Sequence, residues 1–188
     1  DGRTSGQINA ESVDSISGSI SDLGTAYTSS EIANLGDSDE TATTTDGTTT
    51  AAALNTLDVQ TDSATVDAGS VAIISGAVNE LNTAYAAGDI TGLGNEDVTL
   101  TDGTLNDAEA GSDAAALNTL DGRTSGQINA ESVDSISGSL SDLNIAYSAP
   151  SAEITGLGNE AVTLTDGTLN DAEAGSDAAA LNTLDGRT

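Results

Sequence analysis

The sequence predicts an α/β repeat solenoid in which each coil of about 31 residues carries short strands and one short helix, with an all-β solenoid as the alternative. Repetition predicts it first: LNTLD stands at residues 54–58, 117–121 and 181–185, and DGRT at 1–4, 121–124 and 185–188. Residues 1–19 and 121–139 are identical, and 92–121 match 156–185 except that Asp97 becomes Ala161. The second observation is the order inside each copy. Twice per unit a β-branched stretch passes through a glycine-containing turn into an Ala/Leu-rich stretch. Such a half-unit cannot bury its apolar face alone, so copies must stack.

The repeats divide the chain into units 1–57, 58–120 and 121–184, with 185–188 opening a further repeat. The chain starts and stops at one phase of the pattern with no atypical capping unit, which predicts further units on both sides. The middle unit diverges most, yet Val66, Val71, Ile74, Gly76, Val78, Leu81 and Tyr85 keep register with Ile8, Val13, Ile16, Gly18, Ile20, Leu23 and Tyr27. Apolar positions are what persists. They define an expected core ladder of Val13, Ile16, Ile20, Leu23 and Tyr27, then Val71, Ile74, Val78, Leu81 and Tyr85, then Val133, Ile136, Leu140, Leu143 and Tyr147. Length changes fall near Pro150 and at the TLNDAEAGSD segment that the first unit lacks, and these are expected to be surface loops.

In the third unit the strands are expected at 127–129, 133–137, 154–157 and 162–165; in the second, Val98 and Leu100 alternate with threonines as a half-buried strand does. Helices are expected at 139–147 and 177–184, where Leu140, Leu143 and Tyr147 are spaced three and four apart behind Ser and Asp caps. A single helix over 132–147 is the other reading, because Val133, Ile136 and Leu140 extend the same spacing. Gly138, matched by Gly18 and Gly76, argues for a break, since glycine inside a helix costs about 1 kcal/mol relative to Ala.

Composition restricts the chemistry. There are 31 acidic residues against 3 basic ones, a net charge of -28, and no Cys, His, Met, Trp or Phe. The cations are Arg3, Arg123 and Arg187. Nucleic-acid binding by phosphate neutralisation is excluded. So are thiolate nucleophiles, Ser-His triads, imidazole metal ligands and Schiff-base lysines. No stretch approaches the roughly 20 apolar residues of a membrane span. With apolar residues at 36%, the core is expected to be thin. A disordered acidic linker is the third reading of such a composition.

Carboxylates are the remaining reactive groups. Asp46, Asp102 and Asp166 each sit in a TDG tripeptide, followed in the later two units by Asp107 and Asp171. Stacked in register they would form a ladder of oxygen ligands for Ca²⁺, while Asp-Gly is equally a turn pair and Asp a helix cap. Residues 36–40 resemble an EF-hand opening but lack its sixth-position glycine and twelfth-position Glu. The GLG strings at 92–94 and 156–158 complete neither a dinucleotide loop nor a P-loop, and read as tight turns. Paired carboxylates can hydrolyse glycosides, but every unit repeats the acidic residues and no pair stands out. No enzyme activity is expected. The recurring Tyr27, Tyr85 and Tyr147 are expected to make core or interface contacts. Asn9, Asp67 and Asn129 recur once per unit, either as a stacked side-chain ladder or as turn caps. Self-repulsion at -28 predicts that stability rises with salt or Ca²⁺.

ITGLGNEAVTLTDG at 154–167, followed elsewhere by AAALNTLDGRTSGQINAESVDSISGSLSDLNIAY, resembles repeats of very large secreted and cell-surface proteins of cyanobacteria. These include the motility-linked surface protein of swimming marine Synechococcus, and repeats of cyanophage fibre proteins are similar to a lesser degree. The resemblance implies an extracellular cell-surface or filament protein whose partners are its own neighbouring repeats. The first unit departs from it, with NLGDSDETATTTDG at 34–47. A rod, spacer or surface coat is therefore the expected function. The rival is an adhesin or fibre shaft that binds cells, glycans or surfaces through repeated polar rows.

Overall fold

Short strands and hydroxyl-capped helices alternate along the chain in the computed structural model, which describes residues 6–36, 39–105, 112–150, 153–169 and 176–188. The residues pack as two compact units, Asp1–Ile74 with Thr83–Leu93, and Ser75–Asn82 with Gly94–Thr188. The first contains β1 (Ile8–Asn9), β2 (Ser15–Gly18), α1 (Ile20–Tyr27), β3 (Ile32–Ala33), β4 (Thr41–Thr44), β5 (Thr48–Thr50), α2 (Ala51–Thr61) and β6 (Thr65–Asp67). The next strand and helix, β7 (Ile73–Gly76) and α3 (Val78–Ala86), divide between the units, and β8 (Ile90–Thr91) belongs to the first. The second continues with β9 (Asp97–Leu100), α4 (Asp113–Asp121), β10 (Ile128–Asn129), β11 (Ser135–Gly138), α5 (Leu140–Ser148), β12 (Ile154–Thr155), β13 (Ala161–Leu164) and α6 (Asp177–Asp185). The fold is mixed α/β, with six helices among the described residues.

Hydroxyl groups set the helix starts. Ser19, Ser139, Ser112 and Ser176 accept from the N–H three residues on, and Thr50 does so from Ala53. Each cap contributes about 1 kcal/mol. In α1 and α5 the bond is reciprocal, because Ser19 and Ser139 donate to the carboxylates of Asp22 and Asp142. The broken reading of residues 132–147 is the correct one: Ser135–Gly138 is a strand and the helix begins at Leu140. Gly138 ends that strand where α4 comes close. A Cβ there would lie 2.7 Å from the Ala114 Cβ, so only glycine fits without movement.

Strand pairing is parallel throughout the described registers. In the first unit β2, β4, β6 and β8 form a sheet in that order and β1 pairs with β3. In the second, β12, β10 and β9 lie side by side and β11 pairs with β13. The offsets are 24 or 26 residues rather than about 31 where Ile16 pairs with Ala42, Ala42 with Val66, and Val66 with Ile90. Like strands of the two halves pair with each other, first with first at Ile8 with Ile32 and Ile128 with Ile154, and second with second at Ile16 with Ala42 and Ile136 with Val162. A second strand meets the first strand of the next half at Ala42 with Val66 and at Val98 with Ile128.

Alternation places apolar side chains inward. Ala42, Leu54, Leu57 and Val66 are buried in the first unit, and Leu117, Ile128, Ile136 and Leu143 in the second. Burial of each leucine or isoleucine contributes about 1.5–3 kcal/mol. The expected ladder is buried at Val71, Ile74, Val78, Leu81, Val133, Ile136, Leu140 and Leu143, with Tyr27, Tyr85 and Tyr147 half-buried. Its first copy differs: only Leu23 is buried, Ile16 and Ile20 are half-buried, and Val13 is exposed. No described strand lies on the outer side of β1, so these residues lack the cover that their copies have.

Candidate functional site: recurring carboxylates

The TDG aspartates are helix caps of an unexpected kind. Ile20, Val78 and Leu140, the first residues of α1, α3 and α5, donate their N–H to Asp46, Asp102 and Asp166 at 2.8, 2.7 and 2.6 Å. Each carboxylate meets a helix that lies 24 or 26 residues earlier in the chain, where the helix dipole favours negative charge. Burial raises the Asp102 carboxyl above the usual range, the Val78 N–H opposes that, and the charges of Glu80 and Asp113 add to it. Asp107 and Asp171 lie outside the described residues. Among the described residues no group of three or more acidic side chains converges to hold a metal ion. The LNTLD aspartates meet like charges instead: burial and then Asp89 raise the Asp58 carboxyl, and burial and then Glu153 raise that of Asp121.

A second set of carboxylates is buried. Glu40, Glu96 and Glu160 occupy one repeat position, and sequence reading noted only Glu40, within the EF-hand-like string at 36–40. The Gly94 N–H donates to both Glu96 oxygens at 2.9 Å and Asn95 adds a third bond at 3.2 Å. Gly158 holds Glu160 in the same way, at 3.0 and 2.9 Å. Gly94 and Gly158 have φ of +133° and +123°, in the left-handed region that favours glycine, and their N–H groups face the carboxylate. The GLGNE string is thus an anion cradle that its own glutamate fills. Asn34, at φ +61°, takes the place of Gly92 in the first unit, as asparagine tolerates this region best after glycine. There Gly36 donates to Glu40 at 2.8 Å.

The tyrosines complete these sites. Tyr27 donates to Glu40 at 2.6 Å and Tyr147 to Glu160 at 2.7 Å. Burial, then the hydrogen bond, then the carboxylate charge raise both phenols well above their ordinary value of 10.0. Because the folded state holds these protons more tightly, the stabilisation is complete below pH 10 and is lost as pH rises past it. Alkaline titration followed by circular dichroism is expected to unfold the wild type above that pH. The Tyr27→Phe/Tyr147→Phe variant, less stable at neutral pH, is expected to lose less on the same titration. Equal losses would show that phenol ionisation does not drive the transition.

Asn9, Asp67 and Asn129 are turn caps, accepting from the N–H of Glu11, Gly69 and Glu131 at 3.1, 3.0 and 2.9 Å. A helix-to-helix network was also missed in the sequence. Asn82 donates to the Ala116 carbonyl, Asn118 to that of Asp142, and Asn144 to that of Ala180. Arg123 then clamps the Asn82 backbone and side-chain oxygens, as Arg187 clamps Asn144. The signal was a paired change. Gly24 stands where the other units have Asn82 and Asn144, and Gln60 where they have Arg123 and Arg187. The space left between α1 and α2 is a groove of about 480 Å³ lined by Gly24, Thr25, Ala53 and Gln60 among others. Gly24→Asn with Gln60→Arg is expected to stabilise the first unit by about 1 kcal/mol in urea unfolding, more than the two single changes summed. Strict additivity would mean that the pair does not act as one.

The TDG aspartates, the tyrosine-bound glutamates and the asparagines between helices thus hold one segment of the chain to another. No helix among the described residues is long and apolar enough to cross a membrane. No protein-family model, curated protein or solved structure matches the chain.

Proposed function

We propose that the chain is a non-enzymatic structural segment of an extracellular cell-surface or filament protein, a stacked-coil solenoid that serves as rod, spacer or surface coat. The observation that carries this reading is the repetition of one set of connections. A TDG aspartate caps an earlier helix in all three units. A buried glutamate fills its own glycine cradle at both GLGNE strings. An enzyme concentrates its unusual groups in one place, whereas here each unit uses them again for cohesion. Extracellular placement rests on the resemblance to cyanobacterial surface repeats. A net charge of -28 suits a coat that resists aggregation in high salt.

Small-angle X-ray scattering in 1 M NaCl tests the reading. An elongated profile with a constant cross-section is expected. A compact or random-coil profile would overturn it.

A further inference from the structure

One place in the first unit stands open where both of its sequence copies are closed. The groove of about 480 Å³ between α1 and α2 has both walls in the first compact unit, with Gly24, Thr25 and Thr28 on one side and Ala53, Thr56 and Gln60 on the other. At its copies, α3 with α4 and α5 with α6, the Arg123 and Arg187 side chains bond to Asn82 and Asn144. The groove is open because Gly24 and Gln60 stand at those two positions, not because a neighbouring repeat is missing. Its threonine oxygens have no hydrogen to give. Thr25, Thr28 and Thr56 donate their hydroxyl hydrogens to the carbonyls of Ser21, Gly24 and Ala52 at 2.8, 2.7 and 2.7 Å, so each offers the groove lone pairs only. The Gln60 Oε1 lies against Gly24, where a Cβ would be 2.7 Å from it.

We propose that this groove receives the guanidinium of an arginine side chain presented by another polypeptide. The chain itself puts a guanidinium at both copies of the place, and there too the acceptors are neutral, a backbone and a side-chain oxygen of Asn82 or Asn144. A lining of acceptors suits guanidinium, a planar fork of donors that accepts nothing. Ala53 and Leu57 give the methylene stem an apolar wall. The net charge of -28 draws a cation to the surface. Arg123 and Arg187 are both spent on the internal clamps, which leaves the occupant to a different protein. Free arginine suits the groove less well, because no basic residue lines it to take the carboxylate and the acidic chain repels that group.

Amide NMR titration of the whole chain with N-acetylarginine methylamide, at about 0.15 M NaCl, tests the site. Saturable shifts are expected at Gly24, Thr25, Thr56 and the Gln60 side-chain amide, with a Kd on the order of 1 mM. The citrulline analogue keeps the shape without the charge, and the lysine analogue keeps the charge without the fork. Each is expected to bind at least about tenfold more weakly. Gly24→Asn with Gln60→Arg closes the groove as its copies are closed, and the only side chain that a Cβ on Gly24 meets is the Gln60 it replaces. That variant is expected to stay folded and to lose the shifts. Thr28→Ala, matching Ala86, takes away the hydroxyl that holds the Gly24 carbonyl at 2.7 Å, the carbonyl whose counterparts on Asn82 and Asn144 accept from arginine. It is expected to tighten binding about threefold. Equal shifts with the lysine analogue, or shifts spread over the acidic surface and kept by the double variant, would show ordinary counter-ion attraction and overturn the site. Tighter binding of free arginine than of the capped form would overturn the polypeptide occupant.

Discussion

Replacing Glu40 by Ala is expected to cost the first unit about 3 kcal/mol. Two donors lose their acceptor together, the Tyr27 hydroxyl at 2.6 Å and the Gly36 N–H at 2.8 Å. Each buried donor left unsatisfied costs about 1–3 kcal/mol, and the carboxylate's own burial penalty, removed with it, offsets part of that. Tyr27→Phe removes one bond and leaves Glu40 held by Gly36, so it is expected to cost about 1.5 kcal/mol. The double variant should cost less than the sum of the two, since a phenyl ring in place of the phenol has no proton to satisfy. Glu40→Gln keeps an acceptor oxygen and should fall between wild type and Glu40→Ala. Urea unfolding of the four variants measures this. Additivity within about 0.5 kcal/mol would mean that the tyrosine and the glutamate are neighbours without being coupled.

That pair shows where sequence reading stops. Tyr27, Tyr85 and Tyr147 were conspicuous because aromatic residues are only 2% of the chain, and their half-burial beside leucines fits an apolar position. Their acceptors were hidden among 31 acidic residues that nothing in the sequence sets apart. Local signals served well by contrast. Ser19, Ser112, Ser139 and Ser176 mark helix starts because a cap acts within three residues, and Val98 and Leu100 mark a strand because alternation is local. Asp46 was legible as a cap but not as the cap of α1, which lies 26 residues earlier. The repeat suggested that partners stand one half-unit apart. Paired residues instead stand 24 or 26 apart at Ile8 with Ile32 and Ile16 with Ala42, and 30 apart at Val98 with Ile128. Extra residues between β9 and β10 lengthen that last interval.

Gly126→Ala is expected to destabilise the second unit by at least about 3 kcal/mol. A Cβ on Gly126 would fall well inside van der Waals contact with the carbonyl of Glu96 and 2.8 Å from the Asp97 nitrogen. These are backbone atoms at the start of β9, so no flexible side chain can yield and β10 must move away. That movement stretches the 2.7 Å bond from Val98 N–H to the Gln127 carbonyl and the 2.9 Å bond from Thr124 to the Glu96 carbonyl. Other glycines of the repeat make the comparison sharp. Gly47 and Gly167 follow the TDG aspartates and lie outside the left-handed region, and a Cβ on either would meet nothing within 4 Å beyond its chain neighbours. Alanine there is expected to be neutral or to stabilise by up to about 1 kcal/mol, through the entropy of the unfolded chain. Chemical unfolding of the three variants separates the two kinds of glycine. If Gly126→Ala proved as mild as Gly47→Ala, β9 and β10 would not be locked at this approach. If the gap appears, the backbone contact between consecutive strands is what fixes the junction.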